Sequence, residues 1–215
     1  MLRVHTVVAT LLVAILLQVL VLSVAPVRAD DRSANDLRDI RIGMAARELP
    51  SQGYADLACA NGSAGKLENW NQWADCPVGP SQLRAIRFGY DPAIDREGTK
   101  VAGHPVILTL LVDDTGIVAG LLIATDPNSR LYMHKKAFLL GAQAKSRYGA
   151  EGWNCTERQP AADEQPVGGV YVNEQCRKSV NDRTVTIERR LFRHEGEELK
   201  NFTDETRISI LAVKG

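Results

Sequence analysis

Asp114 lies in the stretch "LLVDDTGIVAG", residues 110–120, where Asp-Thr-Gly could present a carboxylate for acid–base hydrolysis. That chemistry needs two carboxylates sharing one proton, each carried to the other on a turn. A chain holding one such aspartate must dimerise to supply the second. The same residues, set between the apolar runs "PVILTLLV" and "IVAGLLIA", are also what a tight β-hairpin turn requires. The hairpin is the expected reading, and a secreted hydrolase built on Asp114 is the alternative.

Other reactive side chains give no catalytic pattern. No GxSxG and no phosphate-cradling glycine loop occur. His104 precedes a proline at a strand start, His134 falls in a helical pattern, and His194 sits in a charged stretch. Asp113, Asp114 and Asp126 lack the twelve-residue spacing of a calcium loop. The expectation is no metal, no cofactor and no catalysis. The cysteines Cys59, Cys76, Cys155 and Cys176 form no CxxC pair and have no neighbouring histidine, so zinc is disfavoured. An even count reads as two disulfides, Cys59–Cys76 and Cys155–Cys176, because each closes a short loop. Trp70, Trp73 and Trp153 all lie near cysteines. Their rings either cover the disulfides or form an exposed platform for a partner protein or, at Trp70 and Trp73, for a sugar.

The ends and the charge bound the partners. Residues 1–29 have a basic start, an apolar run and small residues at Val27 and Ala29, which is a secretory signal cleaved after Ala29. A retained membrane anchor is the alternative; after cleavage no stable membrane insertion is expected. The whole chain has 26 basic and 26 acidic residues; loss of Arg3 and Arg28 leaves 24 against 26. A surface so balanced does not suit nucleic acid. Three sequons, at Asn61, Asn154 and Asn201, matter only in a eukaryotic secretory route.

The elements that must position these residues follow from periodicity. A short helix is expected at 45–49, ended by Pro50, then a cysteine-tied loop over 58–81. Strands are expected at "LRAIRFGY", "PVILTLLV", "IVAGLLIA", "VYVNEQCRK", "TVTIERRLFR" and "TRISILAV". Residues 131–149 predict one long helix, with Gly149 just past its end. The expected class is α+β, an antiparallel sheet packed on helices, arranged as two tandem helix-plus-three-strand units over 30–127 and 128–215 or as one compact domain. From Arg130 to Arg147 the helix has five basic residues and no acid. Lys135, Lys136 and Arg147, with Leu139 among them, form a candidate docking face for an acidic protein partner.

Two resemblances sharpen these expectations. Asp114-Thr115-Gly116 is similar to the catalytic tripeptide of pepsin-like and retroviral-like proteases, yet Ile117 stands where those have a small residue and Asp113 where they have an apolar one. "IRIGMAARELP" and "VDDTGIVAGLLI" resemble the helix start and hairpin of the small outer-membrane-assembly lipoproteins. In architecture the chain is similar to the β-lactamase inhibitor protein, with two tandem units that each hold a disulfide. That resemblance implies an α+β fold whose sheet face binds another protein. No lipid-attachment cysteine is present, and Pro50 cuts the first helix short. The functional expectation is an exported, periplasmic, non-enzymatic binding or accessory protein.

Overall fold

The computed structural model describes residues 35–213 except 63, 64 and 135; the segment assigned as a signal, and Lys135, lie outside the described residues. Ten strands form one antiparallel sheet: β1 (Tyr54–Cys59), β2 (Arg84–Tyr90), β3 (Lys100–Val101), β4 (His104–Val112), β5 (Val118–Thr125), β6 (Asn154–Glu157), β7 (Glu164–Gln165), β8 (Val172–Val180), β9 (Arg183–His194) and β10 (Thr203–Ala212). Their order across the sheet is β1-β2-β4-β5-β10-β9-β8-β6, with β3 on β4 and β7 on β9. Each half of the chain lays four path strands from an outer edge inward. The halves meet where β5 pairs with β10.

The expected α+β class is corrected by this architecture, which is β-rich. The only helix of any length among the described residues is α2 (Phe138–Tyr148), preceded by the four-residue α1 (Leu131–His134). The helix expected at 45–49 is a three-residue 3-10 turn, Ala46–Glu48. A second 3-10 segment, Trp70–Asp75, lies inside the cysteine loop. The units are therefore not helix-plus-three-strand repeats, because the first half has no α-helix among its described residues and each half gives the path four strands. From Asn35 onward the chain is one compact unit.

A tertiary contact splits the expected long helix. In a continuous helix the Met133 carbonyl would accept from the Ala137 N–H. Here it accepts from the Lys136 N–H at 2.8 Å and lies 3.0 Å from Nε2 of the buried His104. The helix restarts at Phe138 and buries Leu140, Gly141 and Ala144 against β9 and β10. Gly141 packs closely there: an added Cβ would lie 3.3 Å from Ile187 Cγ2, which would have to give way. At the far end, Lys178 of β8 donates to the carbonyls of Tyr148, Gly149 and Glu151, satisfying acceptors that a helix end leaves bare.

The core lies on the face of the sheet beneath α2. Ile86, Leu108, Leu110, Leu121, Ile123, Ile208, Ile210, Val185 and Ile187 alternate along their strands to fill it. Within the core of the first half, Tyr54, Trp70, Phe88 and Tyr90 form an edge-to-face aromatic cluster. Two charged pairs close this layer. Asp36 meets Arg183 Nε at 2.8 Å and also accepts from Tyr148 Oη and the Ile42 N–H; Asp204 pairs with Arg189.

Candidate functional site

The residues singled out from sequence fall in separate places. The Asp-Thr-Gly turn is a hairpin turn, and Asp113 organises it. Its Oδ1 accepts from the N–H groups of Thr115 and Ile117, both at 2.9 Å, and from Thr115 Oγ1 at 2.7 Å. Burial pushes the Asp113 carboxyl up, but these hydrogen bonds outweigh it and hold the carboxyl below its ordinary value. Asp114 stands exposed at the tip. Gly116 has φ +85° and lies under Trp73, whose ring would stand 3.0 Å from an added Cβ. The turn is thus docked onto the cysteine loop.

Trp70 is 3% exposed in the aromatic cluster, so its ring offers no free face for a sugar. Trp73 is half-buried between Gly116 and Arg84. Trp153 donates from Nε1 to the Gly149 carbonyl. Both disulfides join the expected partners, and no cysteine is free. Cys155 and Cys176 lie with Glu174 in a metal-like cluster, but both sulfurs are bonded to each other. On the helical segment, Lys136 is exposed in the break between α1 and α2, and Leu139 and Arg147 are exposed on α2. Leu131, Tyr132 and Phe138 are exposed as well, giving this corner an apolar character beside Lys136.

The structure brings together a larger surface that the sequence did not reveal. The helix packs on one face of the sheet, and the second 3-10 segment sits on β2 on that same side, with Trp70 against Phe88. Among the described residues, no helix lies on the other face. Residues directly opposite in an antiparallel ladder share a face, so the registers identify its side chains. One row runs Ala58–Arg87–Thr109–Leu122–Ser209–Thr186–Arg177–Asn154 across all eight path strands. Its centre is the floor of an open groove of about 330 Å³, lined also by Ile107 and Ala124.

Two features shape this open face. Gly120 forms a notch: a Cβ there would lie 2.7 Å from Leu211 Cδ2 and 3.0 Å from Leu111 Cδ1, so these leucines close over the glycine. The charges are arginine-dominated. The strand positions of this face place Arg87, Arg177, Arg190 and Arg207 against Glu188 and Glu205. Arg207 Nε donates to Glu205 at 2.5 Å, and Arg190 stands 3.8 Å and 3.9 Å from Glu188 and Glu205. Arg87 and Arg177 are exposed and make no such pair with described residues.

Comparison of the chain with known family models, curated proteins and solved structures gives no match. No helix of the described residues is long and apolar enough to cross a membrane. Two disulfides fit an oxidising, exported location.

Proposed function

We propose that the protein is an exported, non-catalytic binding protein that takes a partner protein on the open face of its sheet. The observation that carries this reading is the one-sided layering. Eight strands present a face with small residues, a central groove and arginines, and no helix of the described residues lies over it. A groove of small and apolar residues with charge around it is how a protein interface is commonly built.

A photo-crosslinking side chain at Ser209, in the groove floor, tests the reading against the same group at Leu139 on α2. In the exported fraction of the native host, one defined adduct at Ser209 and none at Leu139 is expected. A second reading has a specific observation behind it: the exposed Leu131, Tyr132, Phe138 and Leu139 beside Lys136 form another candidate docking corner. Adducts only at Leu139 would move the site there. A hydrolytic activity lost in Asp114→Asn, with the fold intact, would replace both.

A further inference from the structure

Arg87 and Arg177 occupy corresponding places in the two halves of the sheet. Arg87 lies on β2 opposite Thr109 of β4, and Arg177 lies on β8 opposite Thr186 of β9. Thr109 leads inward to Leu122, Thr186 leads inward to Ser209, and Leu122 and Ser209 are directly paired at the seam. A local two-fold through that pair exchanges the arginines. Five strand spacings separate them, roughly 24 Å at ~4.8 Å per strand.

We infer that the partner lies across the strands along this row and presents acidic groups at two places about 24 Å apart, one for each arginine. This rests on the sheet-face reading above. Between the arginines the row offers two threonines, a leucine and a serine, so the middle of the partner element is uncharged and small enough to enter the groove. Guanidinium suits carboxylate because its planar fork can donate two parallel hydrogen bonds. The chain as a whole has equal numbers of acidic and basic residues, whereas this face has four arginines and two glutamates at the strand positions named above. Arg190 and Arg207 already stand beside those glutamates, which leaves the two ends of the row to meet outside charge.

The experiment uses two synthetic helical peptides of equal composition with a leucine centre. One has glutamate pairs 16 residues apart, about 24 Å along a helix, and the other has pairs 8 residues apart, about 12 Å. Binding to the full disulfide-bonded protein is followed at low salt by backbone amide shifts. The wide-spaced peptide is expected to bind about tenfold more tightly, through its two linked contacts, and to shift the amides of Thr109, Leu122, Ser209 and Thr186. Arg87→Glu with Arg177→Glu should abolish this preference, and a peptide with lysine pairs at the same spacing should restore it. Arg87→Gln with Arg177→Gln serves as the milder variant should charge reversal disturb folding. Equal affinity for the two spacings, or binding indifferent to both double variants, overturns the inference. If groove amides shift regardless of spacing or arginines, the arginine row falls and the sheet-face reading stands. If neither peptide moves the groove and Ser209 gives no adduct, both fall.

Discussion

Strands β4 and β9 occupy the same place in the two halves of the sheet, third from each edge, and different forces hold them. β4 reads "HPVILTLLV" and runs Val106, Leu108, Leu110 and Val112 into the core, with Leu111 buried on the opposite face. β9 places Val185 and Ile187 in the same layer but follows them with Arg189, whose charge is met by Asp204 on β10. The strands of the first half put mainly apolar volume into this layer, and the ion pair Arg38–Asp95 of that half lies outside them. The strands of the second half add pairs and polar networks: Arg189–Asp204, Arg183 with Asp36 of the first half, and Glu164 accepting from Tyr171, Ala161 and Arg158. One strand order therefore tolerates two kinds of support, which places the specification of the sheet in its registers and turns.

The largest effect should come from breaking the ionic side of the comparison. Arg189→Ala leaves the Asp204 carboxylate, 3% exposed, without its partner and should cost about 3–5 kcal/mol in denaturant unfolding. Replacing both, as Arg189→Met with Asp204→Leu, should lose much less than the single change, since an apolar pair of similar volume would make β9 resemble β4. Equal losses in the single and double variants would show that the ion pair does more than balance its own burial.

The disulfides repeat the contrast. Cys59 and Cys76 are both buried, whereas Cys155 is exposed on β6, an edge strand with no buried residue. Each closes a loop of about 20 residues, worth about 3 kcal/mol in the chain-entropy model. Mild reductant should open Cys155–Cys176 in the folded protein and leave Cys59–Cys76 intact until unfolding. Thiol alkylation followed by peptide mapping reads which pair opens first.

Smaller effects belong to the hairpin turn. Gly116→Ala meets both a positive φ and the Trp73 ring and should cost about 1–3 kcal/mol. Asp113→Ala removes the acceptor of three hydrogen bonds and should cost about 1 kcal/mol. The Asp113 carboxyl is held below its ordinary 3.8, so its contribution is fully present above that pH and is lost as the pH falls through the folded value. Asp204 has the opposite sign: burial raises its carboxyl, against the pull of Arg189, so its share of stability is lost as the pH rises through the carboxylate range. Acid titrations of Asp113→Asn and Asp204→Asn should therefore depart from the parent in opposite directions. Asp114→Asn should stay within about 0.5 kcal/mol, as an exposed tip substitution does.

The hairpin of β4 and β5 was legible because two apolar runs bracket an Asp-Thr-Gly turn, and the disulfides were legible because each pair is close in sequence. β1 escaped notice: "YADLAC" is short, has an exposed Asp56 at a left-handed φ of 55°, and gains its pairing from β2 some thirty residues later. β6 is four exposed residues inside a polar stretch, so no periodicity marks it. The break at 136–137 lies beside His104, a long-range contact that helical spacing cannot register. The open face was hidden for the same reason. Arg87 and Arg177 look like ordinary surface arginines until five successive registers place them on one row. The docking face read on the helix rested on one continuous helix, and the break sets Lys136 in a turn apart from Arg147.

The seam between β5 and β10 also constrains how the molecule is made. A chain delivered N-terminus first presents β1, β2, β4 and β5 long before residues 203–212 arrive to pair with β5. Until then the inner edge of β5, flanked by Leu121 and Ile123, is an unpaired apolar strand able to recruit any other extended chain. In the finished fold that edge is closed by the last strand of the sheet. Completion of the fold is tied to full emergence of the chain.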